Sequence, residues 1–178
     1  MSRLVEFQNR IRCQFSPEWL SPSQKKTYDH LRHLLSFQET VNLYGPDGAG
    51  KTFLRWVLEK EVSMCSYPSL DRFEVNDTDK TSWAVLDPQP RQRLVVRQTL
   101  ATLHNLGYRK IILVSDEPVE DQIPRCQLAL TSFDLEKIYQ NWNGISIPVD
   151  DLPVAFESLN LHKALRQIAL NLLTTTEH

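Results

Sequence analysis

The sequence predicts an α/β fold: a parallel-sheet core with helices on both faces and a small C-terminal helical appendage. Apolar runs at Thr40 to Tyr44, Ser82 to Leu86 and Lys110 to Val114 suit buried parallel strands. Stretches with helical spacing alternate with them. Beyond Asp134 the pattern is helical, interrupted by a loop containing Pro148 and Pro153.

The elements follow in order. Pro17 and Pro22 bracket a turn from which Ser21 or Ser23 can cap a helix over Ser23 to Ser36. Its Tyr28, Leu31, Leu34 and Leu35 form one stripe. The strand Thr40 to Tyr44 comes next, then a glycine-rich turn, then a helix from Lys51 to about Val62 that buries Phe53, Leu54, Val57 and Leu58. Ser63 to Thr81 is polar and broken by Pro68, with a short strand at Arg72 to Val75 as its one regular candidate. After Ser82 to Leu86, a helix over Arg91 to Leu106 presents Leu94, Val95, Leu100, Leu103 and Leu106 and stops at Gly107, where a C-terminal cap wants glycine. Lys110 to Val114 is the clearest buried strand, and Cys126 to Leu130 is a further candidate. Leu135, Ile138 and Tyr139, then Leu159 to Leu173, carry the closing helices. The chain divides into an N-terminal extension (1–22), a core (23–133) and a lid-like helical region (134–178).

Composition narrows the function. With 178 residues, 41% apolar and 24% charged, the chain can bury a substantial core. A formal charge of −2 supplies no overall positive field for a nucleic acid backbone, so DNA contact rests on local patches such as Arg91, Arg93 and Arg97. No apolar run approaches the roughly 18 residues of a membrane span. Acidic Glu6 among the N-terminal arginines argues against a signal peptide. Three widely spaced cysteines suggest neither a zinc site nor a disulfide framework, and a reducing cytoplasm is expected. His30 and His33 lack a second ligand pair and are read as helix surface.

The turn carries the chemistry. Residues 45 to 52, GPDGAGKT, match G-x-x-x-x-G-K-[ST] after an apolar strand and at the opening of a helix. Gly45, Gly48 and Gly50 allow backbone N–H groups to wrap phosphate oxygens, with Pro46, Asp47 and Ala49 completing the loop. Lys51 would reach the β and γ phosphates, Thr52 would offer its hydroxyl to Mg²⁺, and Phe53 follows on the helix. Such a P-loop implies a nucleoside triphosphate, ATP with Mg²⁺. The metal also needs a carboxylate from a strand end, and two positions compete. Asp87 after SWAVL is favoured, because a helix and one further strand follow it. Asp116 is the alternative, and it brings Glu117 as a base that could orient water.

The order of parts resembles a compact AAA+ or related STAND-type ATPase domain: a capped helix with Gln24, VNLYGPDGAGKT, WAVLD, a helix, IILVSDEP, then PRCQLALTSFDLEKI. The resemblance implies that Ser115 or Asp116 senses the γ-phosphate, that Arg125 acts as a finger into a neighbouring subunit, and that a lid carries a sensing arginine, for which Arg166 is placed. A protein partner or homo-oligomer is implied with it. Pro88 stands where a catalytic glutamate often stands, so hydrolysis is expected to be slow, absent or dependent on another residue.

The reading is therefore an ATP-binding AAA+-like P-loop NTPase that hydrolyses ATP slowly or uses its binding to control a partner protein or DNA. Two alternatives stay open. A small P-loop nucleotide or metabolite kinase shares the DGAGK run, although no well-placed acceptor motif accompanies it. A non-hydrolysing, nucleotide-dependent interaction module is the other.

Overall fold

The computed structural model describes residues 3–62, 64–67, 83–87, 96–119, 122–144 and 159–174. The predicted strand at Arg72 to Val75, Pro88, and the first residues of the helix expected from Arg91 lie outside them, as does the Pro148 and Pro153 loop.

Helix α1 (Arg3–Gln14) opens the chain and a single 3₁₀ turn (Pro17–Trp19) follows. Next come α2 (Pro22–Phe37), β1 (Thr40–Tyr44), α3 (Lys51–Glu61), β2 (Met64–Tyr67) and β3 (Trp83–Leu86). Then α4 (Val96–Asn105), β4 (Lys110–Ser115), β5 (Arg125–Gln127), α5 (Ser132–Gly144) and α6 (Leu161–Thr174) complete the described elements. The five strands form one parallel sheet in the order β2-β3-β4-β1-β5. The strand ending in the glycine turn is therefore flanked by β4 and β5, with β3 one place further out.

Alternation along the strands builds two cores. Val41, Leu43, Val85, Ile112, Val114 and Cys126 face α2 and α3, joined by Leu31, Leu35, Leu54 and Val57. Ala84, Leu86, Ile111 and Leu113 face the other way, against Val96 and Leu103 of α4. Helices thus cover both faces, as expected for strands that are apolar on both sides. Ser21 caps α2, and Gln24 returns its side-chain oxygen to Ser21 N at 3.1 Å. Gly107 has φ +96° and its turn donates Tyr108 N to Leu103 O, so glycine closes α4 as predicted.

Several expectations change. Residues 3–14, part of the stretch given only as an N-terminal extension, form a helix, and Ile11 is buried in a third cluster with Leu130, Ile138, Trp142, Ala164 and Leu165. Edge strand β2 falls in the stretch read as irregular; its MCSY sequence has no apolar run to announce it. Regular pairing in β5 ends at Gln127, short of the expected Leu130. Leu106 lies past the end of α4 and is exposed, where periodicity had placed it on the buried face. Among the described residues, no helix is long and apolar enough to cross a membrane.

Candidate functional site

The glycine-rich loop starts where β1 passes between its neighbours. Gly45 N donates to Ser115 O at 3.2 Å, and Leu128 N donates to Tyr44 O at 2.8 Å. A Cβ at Gly45 would stand 2.0 Å from Leu128 O, so backbone proximity excludes any larger residue. Gly48 and Gly50 have φ of +76° and +95°, a region that glycine enters without steric cost. Ala49 N bonds Pro46 O, whereas the N–H groups of Asp47, Gly48, Gly50, Lys51 and Thr52 have no backbone acceptor among the described residues. A run of unspent donors at the start of α3 is an anion-binding nest.

Lys51 closes it. Its side chain is only 11% exposed, and its ammonium meets Gly45 O at 2.6 Å, Pro46 O at 3.1 Å and Asp116 Oδ1 at 2.9 Å. Those three acceptors use all three ammonium protons. Asp116 is 56% exposed, so water screens this pair and it holds the lysine weakly. A phosphate is the better partner for the lysine in a nest of N–H groups.

Asp116 contacts this lysine directly, and Asp87 lies within reach of its charge. Asp87 ends β3 and retains contact with water. Surrounding protein desolvates its carboxyl and raises the pKa; the Arg55 and Lys51 charges oppose this, and Asp116 adds to it. The structure thus gathers Lys51, Asp87 and Asp116 at the carboxyl ends of β3 and β4. Thr52 is exposed on the first turn of α3, and Phe53 beside it is half-buried with its ring edge-on to Phe15 at 5.6 Å. A magnesium ion commonly takes one or two protein groups and completes its shell with phosphate oxygens and water. Thr52 and an acid from β3 or β4 fit that pattern.

Asn42 holds the acid-bearing turn. Fully buried on β1, it donates through Nδ2 to Leu113 O at 3.1 Å and Ser115 Oγ at 2.9 Å, and its Oδ1 accepts Val119 N at 3.0 Å. Ser115 Oγ in turn donates to Glu117 O at 2.6 Å. Glu117 is exposed beside Asp116. Arg125 is exposed on edge strand β5, paired with Asn42 and two residues back from the Tyr44 level. Arg166 is exposed on α6.

The sequence did not reveal the outer wall. Asn160 donates to Asp47 O at 2.9 Å, accepts Lys163 N to cap α6, and is followed by Leu161 N donating to Gly48 O at 2.8 Å. The last helix is therefore fastened to the loop itself. An asparagine just before an apolar-periodic run was the available signal. Between loop and helices lies a cavity of about 310 Å³, bounded by Lys51, Phe53, Trp56, Trp142, Leu161 and Ile11 among others. Aromatic walls beside a phosphate nest make a compartment for a flat ring.

Cys126 is no nucleophile: burial pushes its thiol up to about 11, and Sγ donates to Thr27 O with His30 Nδ1 at 3.8 Å. No group of three metal-binding side chains occurs among the described residues.

No protein-family model matches the sequence, and no curated protein matches it. Solved structures do. A DNA replication initiation factor matches at a TM-score of 0.53 and 18% identity, over 85% of this chain and 60% of that one. AMPPCP-bound DnaA from Aquifex aeolicus matches at 0.57 and 16% identity, over 87% and 64%. The Aeropyrum pernix Orc1 protein in complex with DNA matches at 0.55 and 13% identity, over 90% and 62%. At these identities the likeness is one of fold, shared over most of this chain. This chain spans less than two thirds of each of those proteins. The tip of β4 carries Ser115 and Asp116, the two residues between which the resemblance to an AAA+ domain left the choice open. Ser115 is bonded to Asn42 and Glu117, which leaves Asp116 as the side chain on the loop lysine.

Proposed function

We propose that this chain is an ATP-binding AAA+-like NTPase that hydrolyses ATP slowly, or uses its binding as a switch, to control a partner protein or DNA in the cytoplasm. The observation that carries the reading is the folded P-loop: unspent N–H groups around Lys51, opening onto an aromatic-walled cavity. The AMPPCP carried by the DnaA structure of similar fold supports nucleotide binding, and the DNA in the Orc1 complex is consistent with a DNA-associated task.

In this reading Lys51 and the loop hold the β and γ phosphates, and Thr52 with Asp87 hold Mg²⁺. Asp116 or Glu117 orients water, and Arg125 reaches the site of a neighbouring copy. Catalysis is electrostatic: fixed donors meet charge that develops on the transferred phosphoryl group. The exposed Asp116 and Glu117 form a less enclosed base than a buried glutamate, which favours slow turnover or a switch.

Equilibrium binding of ATP with and without Mg²⁺ tests the assignment. Lys51→Ala should weaken ATP binding at least about 100-fold, the loss of a desolvated charge-assisted contact. Asp87→Asn should retain ATP but lose the Mg²⁺ enhancement, whereas Asp116→Asn should keep it. Unchanged ATP affinity in Lys51→Ala sinks the P-loop reading. Phosphate release separates ATPase from switch, and transfer to a nucleoside monophosphate would show a kinase instead.

A further inference from the structure

The cavity beside the phosphate loop reaches α1, so the opening helix forms part of its wall through Gln8 and Ile11. Its volume, about 310 Å³, is at the small end of the range for ligand sites. A nucleoside fits that space. Besides the phosphate loop, its walls are largely aromatic and aliphatic, and its polar side chains are His162 and three amides: Gln8, Gln24 and Asn141. Two of these amides already spend one polar atom on the frame. Gln24 Oε1 accepts Ser21 N at 3.1 Å, and Asn141 Nδ2 donates to Trp19 O at 2.8 Å. Gln8 has no such commitment among the described residues.

We propose that Gln8 is the specificity-determining residue for the base, pairing its amide with the 6-amino edge of a purine whose triphosphate lies on the P-loop. This rests on the ATP-binding reading given above. An amide presents a donor and an acceptor side by side. The 6-amino group of adenine and an adjacent ring nitrogen present the complementary pair, the same match by which glutamine reads adenine in nucleic acids. Position is fixed by the helix. Ile11 lies three residues on, on the same face, and is buried in the cluster that includes Ala164 and Leu165 of α6. Glu6 and Arg10 pair at 2.6 Å along the exposed side, so α1 has one face toward the cavity and one toward water.

The test is a comparison of ATP with purine riboside triphosphate, which has the same sugar and phosphates but no 6-amino group, and with inorganic triphosphate. Binding is measured on the full chain. Wild type should bind ATP about tenfold more tightly than the analogue, the discrimination expected of one amide pair. Gln8→Met, similar in length and apolar, should bring that ratio to about one by weakening ATP while leaving the analogue unchanged. Gln8→Ala should do the same, which guards against a packing effect of methionine. An undiminished ratio in both variants, or equal binding of ATP and analogue by wild type, overturns the role of Gln8 while the P-loop reading stands. Failure of wild type to bind ATP, analogue and inorganic triphosphate alike overturns both.

Discussion

Asp134 shows how one residue ties separate segments of this fold together. It is fully buried, and its carboxylate accepts Ser23 N at 2.8 Å, Thr131 N at 2.6 Å and Thr131 Oγ1 at 2.8 Å. Desolvation alone would raise its pKa, but the hydrogen bonds from Ser23 and Thr131 outweigh it and the pKa is lowered. A carboxyl more acidic in the folded than in the unfolded chain stabilises the fold above its unfolded value, about 3.9. That contribution is lost as pH falls through the lower folded value. Asp134→Asn replaces one acceptor oxygen with a donor facing N–H groups, and should cost about 1–3 kcal/mol at pH 7. Urea unfolding at pH 7 and below pH 3 checks this: the gap between variant and wild type should shrink in acid, and a constant gap would refute it. The phosphate loop, by contrast, was readable residue by residue, because glycines, lysine and threonine at fixed spacing have few other uses. The cluster of Lys51, Asp87 and Asp116 was readable only in part, because two acids at strand ends look alike until strand order is known.

At the scale of elements, α6 matters through its first residues. Asn160 both caps the helix and grips Asp47 O, so P-loop and helix share one side chain. The two roles separate by chemistry. Asn160→Asp keeps the capping acceptor but loses the donor to Asp47 O, whereas Asn160→Ala loses both. Alanine should cost about 1 kcal/mol of stability and aspartate much less. Both should weaken ATP binding, since the loop loses its outer support. Thermal melts and ATP titrations of the two variants check this, and an aspartate variant with wild-type ATP affinity would remove the loop-support role. Elements with a continuous apolar run, β1, β3 and β4, were legible because strands buried on both faces leave that signature. β2 was not, since a four-residue edge strand needs little apolar sequence. α1 was obscured for another reason. Leu4, Phe7 and Ile11 have helical spacing, but Glu6, Gln8, Asn9 and Arg10 between them leave only three apolar positions to mark the stripe.

Of the molecule's three hydrophobic bodies among the described residues, two meet at the cavity. One lies between the sheet and α2 with α3; the other unites Ile11 of α1, Leu130, Ile138 and Trp142 of α5, and Ala164 and Leu165 of α6. Trp19, Phe53 and Trp56 pack against both, and all three line the cavity. A ligand in that cavity would therefore sit on the seam, touching residues that the smaller body cannot leave without opening the site. Opening of the smaller body alone is a partial unfolding that destroys the cavity, so a nucleotide that bound there only in the closed form would oppose it. At a free ATP concentration 100 times the dissociation constant, the closed state gains about 2.7 kcal/mol. Amides of α1, α5 and α6 that exchange through this opening should then slow together by about 100-fold. Native-state hydrogen exchange with and without ATP and Mg²⁺ reads this directly. Protection confined to the phosphate loop and α3, with α1, α5 and α6 unchanged, would mean that the nucleotide does not bridge the two bodies. Joint protection would mean that nucleotide occupancy sets how firmly the N-terminal helix and the last helix hold the core, a change that a partner in contact with those helices could read.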